Sequence, residues 1–214
     1  MKRIMPSRFK LVAFDLDGTL IEDKSSWLKV HKYFNTTSKA EEYLRLYCQG
    51  KITYEEFMKK DIEAWPKPLH ISKIIQILST CKVRPEAKSV IQEIRNRGLE
   101  VAIISAGIEH LAKRVANELG IHHFFANKLC VDENGYLTGE GVMEVEPARK
   151  DKALRVLAER LGLSLSQCIA VGDSPLDSSF LKAAGLGLYL GSEKEARSIG
   201  VKSISNLSEI LNYI

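Results

Sequence analysis

A chain of 214 residues has room for one full domain, or for one domain with a small insert. Its 45% apolar and 27% charged residues are those of a folded globular protein and exclude a disordered or low-complexity chain. The net charge of +4 carries no basic stripe interleaved with aromatics, so nucleic acid is not expected as a partner, and no apolar run approaches the ~20 residues of a membrane span. The basic start MKRIMPSRFK is followed by an apolar run that Asp15 interrupts after four residues, short of the ~7–15 of a secretory segment, and a cytoplasmic location is expected. Cys48, Cys81, Cys130 and Cys168 are widely spaced, with no C-x-x-C pair and no clustered histidines. That pattern predicts buried free thiols instead of a zinc site or a disulfide framework.

In chain order, Leu11-Val12-Ala13-Phe14 reads as a short buried strand, and Asp15-Leu16-Asp17-Gly18-Thr19-Leu20 follows at its carboxyl end. Two bare acids behind a buried strand are costly, so a cation is expected to offset them. Between residues 22 and 80 helix-period stretches replace the strand signal: Ser26–Phe34, Lys39–Tyr47, Thr53–Trp65 and Ile71–Leu78. Thr53 with Glu56 three positions on is a capping-box pattern, and Pro66 and Pro68 end that helix. Pro85 to Arg97 predicts a helix stopped at Gly98, then Val101–Ile104 a strand. Glu109 to Leu119 stops at Gly120 and Asp151 to Leu161 at Gly162, while Asn134-Gly135 predicts a hairpin turn. Ile169–Val171 and Leu186–Leu190 are further buried strands.

This alternation predicts an α/β fold, a doubly wound, Rossmann-like parallel sheet with a small helical domain inserted after the first strand. The expected division is a core of residues 1–21 and 81–214 and an insert of residues 22–80.

Three strands end in polar residues near glycine: Asp15/Asp17-Gly18, Ser105-Ala106-Gly107, and Gly172-Asp173 with Asp177 four residues on. In an open parallel sheet such ends converge on one pocket. Three or four carboxylates with a hydroxyl suit Mg²⁺, which prefers oxygen ligands, and a phosphate can bridge from the metal to the protein. Lys150 lies 23 residues before Asp173 and could neutralise a phosphoryl group there. Each residue also has a plainer account. Lys150 is flanked by Arg149 and Lys152 like a surface lysine, Asp177 suits a first helical turn, Asp173 suits a turn, and Ser105 suits an N-cap.

The ordered set D-x-D-G-T-L, S-x-G, Lys and G-D-x-x-x-D, over residues 14–177, resembles the haloacid dehalogenase superfamily of aspartate-nucleophile phosphatases. Gly50-Lys51-Ile52-Thr53-Tyr54-Glu55 and Phe125-Ala126-Asn127-Lys128-Leu129 are similar to its phosphoserine-phosphatase-like branch. The resemblance implies that residues 22–80 are a cap domain, that Asp15 is the nucleophile, and that Asp17 is the acid and base. It implies that Ser105 and the amide of Gly107 hold phosphoryl oxygens and that Lys150 stabilises charge at phosphorus. Mg²⁺ would be held by Asp15, the Asp17 carbonyl and Asp173, with Asp177 in contact with its waters. An acid at Asp17 points to phosphate esters instead of halides.

The implied activity is hydrolysis of a small phosphorylated metabolite, with transfer to an alcohol acceptor as the alternative and a non-catalytic phosphate-binding module as a third class. Oligomeric state is not readable. The specificity positions depart from the branch. Lys24 stands where it has a glutamate and Asp61 near its arginine, so both charges are reversed. Ala106 and Leu176 replace a glycine and an asparagine. Weak activity on phosphoserine is therefore expected, with Lys24, Tyr54 and Asp61 as the candidate substrate-facing residues and Trp65 either beside them or in the core of the insert.

Overall fold

The strand runs assemble around β1 (Leu11–Phe14), which lies at the middle of a seven-stranded sheet. The computed structural model describes residues 8–214, so the basic start at residues 1–7 lies outside the described residues. After β1 come four helices, α1 (Ser26–Tyr33), α2 (Thr37–Cys48), α3 (Tyr54–Ala64) and α4 (Ile71–Leu78). Then follow α5 (Ala87–Asn96), β2 (Glu100–Ile108), α6 (Glu109–Leu119), β3 (His123–Val131) and β4 (Leu137–Val142). The chain ends with α7 (Lys150–Arg160), β5 (Cys168–Gly172), α8 (Ser178–Ala183), β6 (Leu186–Leu190), α9 (Glu193–Ile199) and β7 (Lys202–Ile204). Sheet order is β4-β3-β2-β1-β5-β6-β7, parallel throughout except for the β3/β4 pair.

Alternation along the strands separates two cores. Val12, Phe14, Val101 and Ile103 pack with α5 and α6, whereas Leu11, Ala13, Ala102 and Ile104 pack with α7, α8 and α9. The insert joins the first of these cores through Trp27, Phe57, Ile62 and Ile74. Its two connections meet at one point, where Ile21 bridges Val83 in antiparallel fashion. Thr53 caps α3 and Glu56 completes the box, as the spacing predicts.

The Asn134-Gly135 hairpin forms as expected: β3, parallel to β2 at His123–Phe125, runs on antiparallel to β4 from Lys128, so the hairpin extends the sheet. Two features depart from the sequence reading. The short elements β7, α8 and α9 had no clear apolar signature. Of the four free thiols only Cys81 and Cys168 are buried; Cys48 is exposed and Cys130 half-buried. Among the described residues no helix is long and apolar enough to cross a membrane.

Candidate active site

β1 has β2 on one side and β5 on the other, and these connections run in opposite directions from it. This is the switch point of a doubly wound sheet, where strand ends splay and leave a crevice. Asp15 continues β1, its amide donating to Val171 O at 2.8 Å, and Asp173 leaves the end of β5. Ser105 lies where the β2/β3 register becomes irregular between Ile104 and Ile108, an irregularity that turns the strand end toward the crevice. These ends line one cavity of about 420 Å³ that also takes in α1, α2 and α3.

The charges at its floor are buried and matched. Lys150 Nζ lies 2.6 Å from Asp15 Oδ1 and 2.6 Å from Asp177 Oδ1. Burial alone would lower the Lys150 pKa, but the two carboxylates outweigh it and hold the ammonium protonated. Asp15 is pushed upward by burial, against the pull of Lys150, with Asp177 and Asp173 adding like charge. Asp177 is fully committed: Oδ1 accepts from Lys150, and Oδ2 accepts from the amides of Asp173 and Ser174. It therefore fixes both the lysine and the loop carrying Asp173.

Ligand oxygens of Asp15, Asp173 and Asp177 lie within 4.8 Å of one another, a spacing and donor set that fit a divalent cation. Asp173 is held by Thr19 Oγ1 at 3.0 Å and by Lys24 Nζ at 2.5 Å. Lys24 thus lines the cavity but engages the carboxylate cluster, with a side chain 68% exposed. Gly18 has φ +80° and a Cβ there would stand 2.2 Å from Asp173 Oδ2, so only glycine admits this approach.

Asp17 is set up differently. Its Oδ2 accepts from Ser26 Oγ at 2.8 Å, and Ser26 Oγ in turn accepts from the amide of Ile108 at 3.1 Å. Oδ1 is buried without a hydrogen-bond partner. Burial raises the pKa to about 6 in spite of Ser26, so one oxygen is anchored while the other can carry a proton. The Gly107 amide donates to Ser105 Oγ at 2.9 Å, and a Cβ on Gly107 would come within 2.4 Å of Asp17 Oδ2.

The family model described as haloacid dehalogenase-like hydrolase matches residues 9–185. The chain belongs to this family. Among curated proteins it is similar to the phosphoserine phosphatase of Methanocaldococcus jannaschii, 29% identical over 98% of this chain and 100% of that one. It is similar also to that of Albidiferax ferrireducens, 29% identical over 94% of this chain and 86% of that one. Two solved structures superpose on 96% of this chain at 28% identity and a TM-score of 0.82. One is a phospho-aspartyl intermediate analogue of phosphoserine phosphatase, covered to 99%, and the other a substrate-bound phosphoserine phosphatase, covered to 98%. The chain falls in the phosphoserine-phosphatase-like branch of the family.

Several residues that serve this family member's site gave no sequence signal. Ser26 looks like the second half of an N-cap pair behind Ser25, yet its hydroxyl orients Asp17. Arg84 donates to the carbonyls of Gly18 and Thr19 at 2.8 and 2.9 Å and so fixes the turn after Asp17. The Ala106 carbonyl accepts three hydrogen bonds, from Trp27 Nε1 at 3.0 Å, Tyr54 Oη at 2.9 Å and Asn127 Nδ2 at 2.9 Å. Trp27 and Tyr54 belong to the insert and Asn127 to β3, so that carbonyl joins insert to core beside Ser105. Asn127 also donates to Val145 O and accepts from the amides of Glu144 and Val145.

On the insert side Tyr54, Phe57 and Asp61 share one face of α3 at i, i+3 and i+7, and all three line the cavity. Trp65 does not line it. Its ring stacks on Trp27 at 5.9 Å within the core of the insert.

Proposed function

We propose that this hydrolase is a Mg²⁺-dependent phosphomonoesterase that cleaves a small phosphorylated metabolite through an aspartyl-phosphate on Asp15. The observation that carries the reading is the pair of unlike carboxylates at the end of β1. Asp15 is held against the Lys150 ammonium, and two residues on, Asp17 has one oxygen anchored and one open. In the first half-reaction an Asp15 oxygen attacks phosphorus, the bond to the leaving oxygen breaks, and the proton on Asp17 passes to that oxygen to give the free alcohol. In the second, Asp17 takes a proton from water as the water oxygen attacks phosphorus. The Asp15–phosphorus bond breaks, and inorganic phosphate leaves with Asp15 restored.

Ser105 and the Gly107 amide would hold phosphoryl oxygens, with Lys150 balancing the charge that gathers on them. Asp15, Asp173 and the Asp17 carbonyl would hold Mg²⁺, which would supply positive charge to offset that of the phosphoryl group. Asp177 would act mainly through Lys150 and the Asp173 loop. Residues 22–80 would form a cap domain over a core of residues 1–21 and 81–214. Phosphoserine itself is expected to be a weak substrate, because Lys24 and Asp61 place the opposite charges at the two branch specificity positions.

Release of phosphate from p-nitrophenyl phosphate tests the reading. Turnover is expected with Mg²⁺, loss on chelation, and at least a ~10³-fold drop in kcat for Asp15→Asn, the scale of removing a nucleophile. No Mg²⁺-dependent hydrolysis across a broad panel of phosphate esters would overturn it.

A further inference from the structure

The cavity has a second end, formed by the insert, and its chemistry differs from that of the floor. Asp61 is 1% exposed and lines the cavity, and neither of its oxygens receives a hydrogen bond. Its nearest charged or chargeable contact is His31 Nε2, 3.3 Å from Oδ1 without hydrogen-bond geometry. His31 is therefore a poorly aligned partner: burial raises the Asp61 pKa against the weak hydrogen bonding and charge of His31, and a buried carboxylate so little paired gains from a donor supplied by a ligand.

Aromatic rings surround the same end. Tyr47, Tyr54 and Phe57 contact one another with centroids 5.3 to 5.9 Å apart, and Trp27 lines the wall with them. Burial raises the Tyr54 pKa, and Tyr54 Oη is bound to the Ala106 carbonyl, so the phenol stays neutral and its hydroxyl is occupied. What these residues offer a ligand is mainly ring surface, whose negative faces attract organic cations.

Charge bookkeeping along the lining points the same way. Among the described residues lining the cavity the cations are Lys24 and Lys150, and each is already bound to a carboxylate, Lys24 to Asp173 and Lys150 to Asp15 and Asp177. The insert adds Glu41 and Asp61. A substrate carboxylate would meet no uncommitted cation here, whereas an ammonium would meet Asp61 and several rings.

From this we infer that the site takes the phosphate ester of an amino alcohol, primary or quaternary, with the phosphoryl group at the Asp15 end and the ammonium at Asp61 among Trp27, Tyr47, Tyr54 and Phe57. The inference rests on the phosphomonoesterase reading above and narrows its substrate.

Initial rates with Mg²⁺ on five esters test it: choline phosphate, ethanolamine phosphate, glycerol phosphate, phosphoserine and p-nitrophenyl phosphate. Either ammonium ester is expected to exceed glycerol phosphate and phosphoserine at least tenfold in kcat/KM. A higher value for choline assigns the main grip to the rings, and a higher value for ethanolamine assigns it to Asp61. In Asp61→Asn the ratio of the better ammonium ester to glycerol phosphate should fall below threefold, a ratio unaffected by the fraction of active protein. Should that variant fail to fold, free choline and free ethanolamine serve as probes in the unaltered enzyme. At least one should inhibit p-nitrophenyl phosphate hydrolysis competitively, while glycerol at equal concentration does not. Turnover of p-nitrophenyl phosphate without ammonium preference, or with phosphoserine preferred, would overturn this inference and leave the phosphatase reading standing. Failure to hydrolyse any of the five would count against both.

Discussion

The two ends of the cavity contrast in how they treat charge. At the sheet end, charged groups are largely paired: Lys150 spans Asp15 and Asp177, Thr19 and Lys24 hold Asp173, and Ser26 anchors one oxygen of Asp17. At the insert end a single buried carboxylate stands among aromatic rings without a hydrogen bond. A network whose members fix one another is rigid and suits a reaction whose geometry does not change with the ester. A lone group in an apolar wall discriminates by what it leaves unpaired when the wrong ligand enters. Changes at the sheet end should therefore affect every ester alike, and changes around Asp61 should affect the ranking of esters.

The largest effect is expected from Gly18→Ala, which forces a Cβ to within 2.2 Å of Asp173 Oδ2 in a left-handed conformation. We expect a ~10²-fold or greater loss of kcat on all esters, the scale of displacing a positioned group; a loss confined to one ester would break the contrast. Next is Asn127→Ala, which strips partners from buried backbone groups on both sides of the seam. A stability loss of about 2–4 kcal/mol is expected from urea unfolding, given ~1–3 kcal/mol for each unsatisfied group and partial relaxation.

Ser26→Ala removes a hydrogen bond that favours ionised Asp17, so the Asp17 pKa should move upward. The acid limb of aspartyl-phosphate hydrolysis, the step that needs ionised Asp17, should then shift to higher pH equally for all esters, and kcat at neutral pH should fall where that step limits the rate. The smallest effect belongs to Lys24→Met. It removes the ammonium that competes for Asp173, and the Mg²⁺ concentration for half-activation should fall by about two- to fivefold, the range of an exposed ion pair. An increase in that concentration would show instead that Lys24 helps to assemble the site.

The core was legible where single residues carry their own signal. The apolar runs of β1, β2, β5 and β6 are long enough to stand out, and acids behind a buried strand need an external reason. β7 spans three residues with one buried side chain, too few for a period to show. The acids at the floor of the site were legible for the same reason as the core, since Asp15, Asp17 and Asp173 belong to dense local strings, whereas Lys150 was picked out by its spacing to Asp173 and by the family resemblance. Ser26 and Arg84 were not, because their work depends on partners up to 82 residues away and their own neighbourhoods look ordinary; Asn127 lay in a string that resembled the branch, but nothing local assigned it a role. Asp61 was singled out by its departure from a pattern, which could say that a charge had changed but not that the position would be buried and unpartnered.

The three donors on the Ala106 carbonyl have an electronic consequence. That oxygen and the Gly107 N–H belong to one peptide unit, so donors at the oxygen draw density through the amide resonance and make the N–H more acidic. Hydrogen bonds linked in this way strengthen one another by roughly 10–30%. Two of the three donors, Trp27 and Tyr54, come from the insert. The seating of the insert is thus felt at the far side of a single planar group, as added polarity on the amide that donates to Ser105 Oγ.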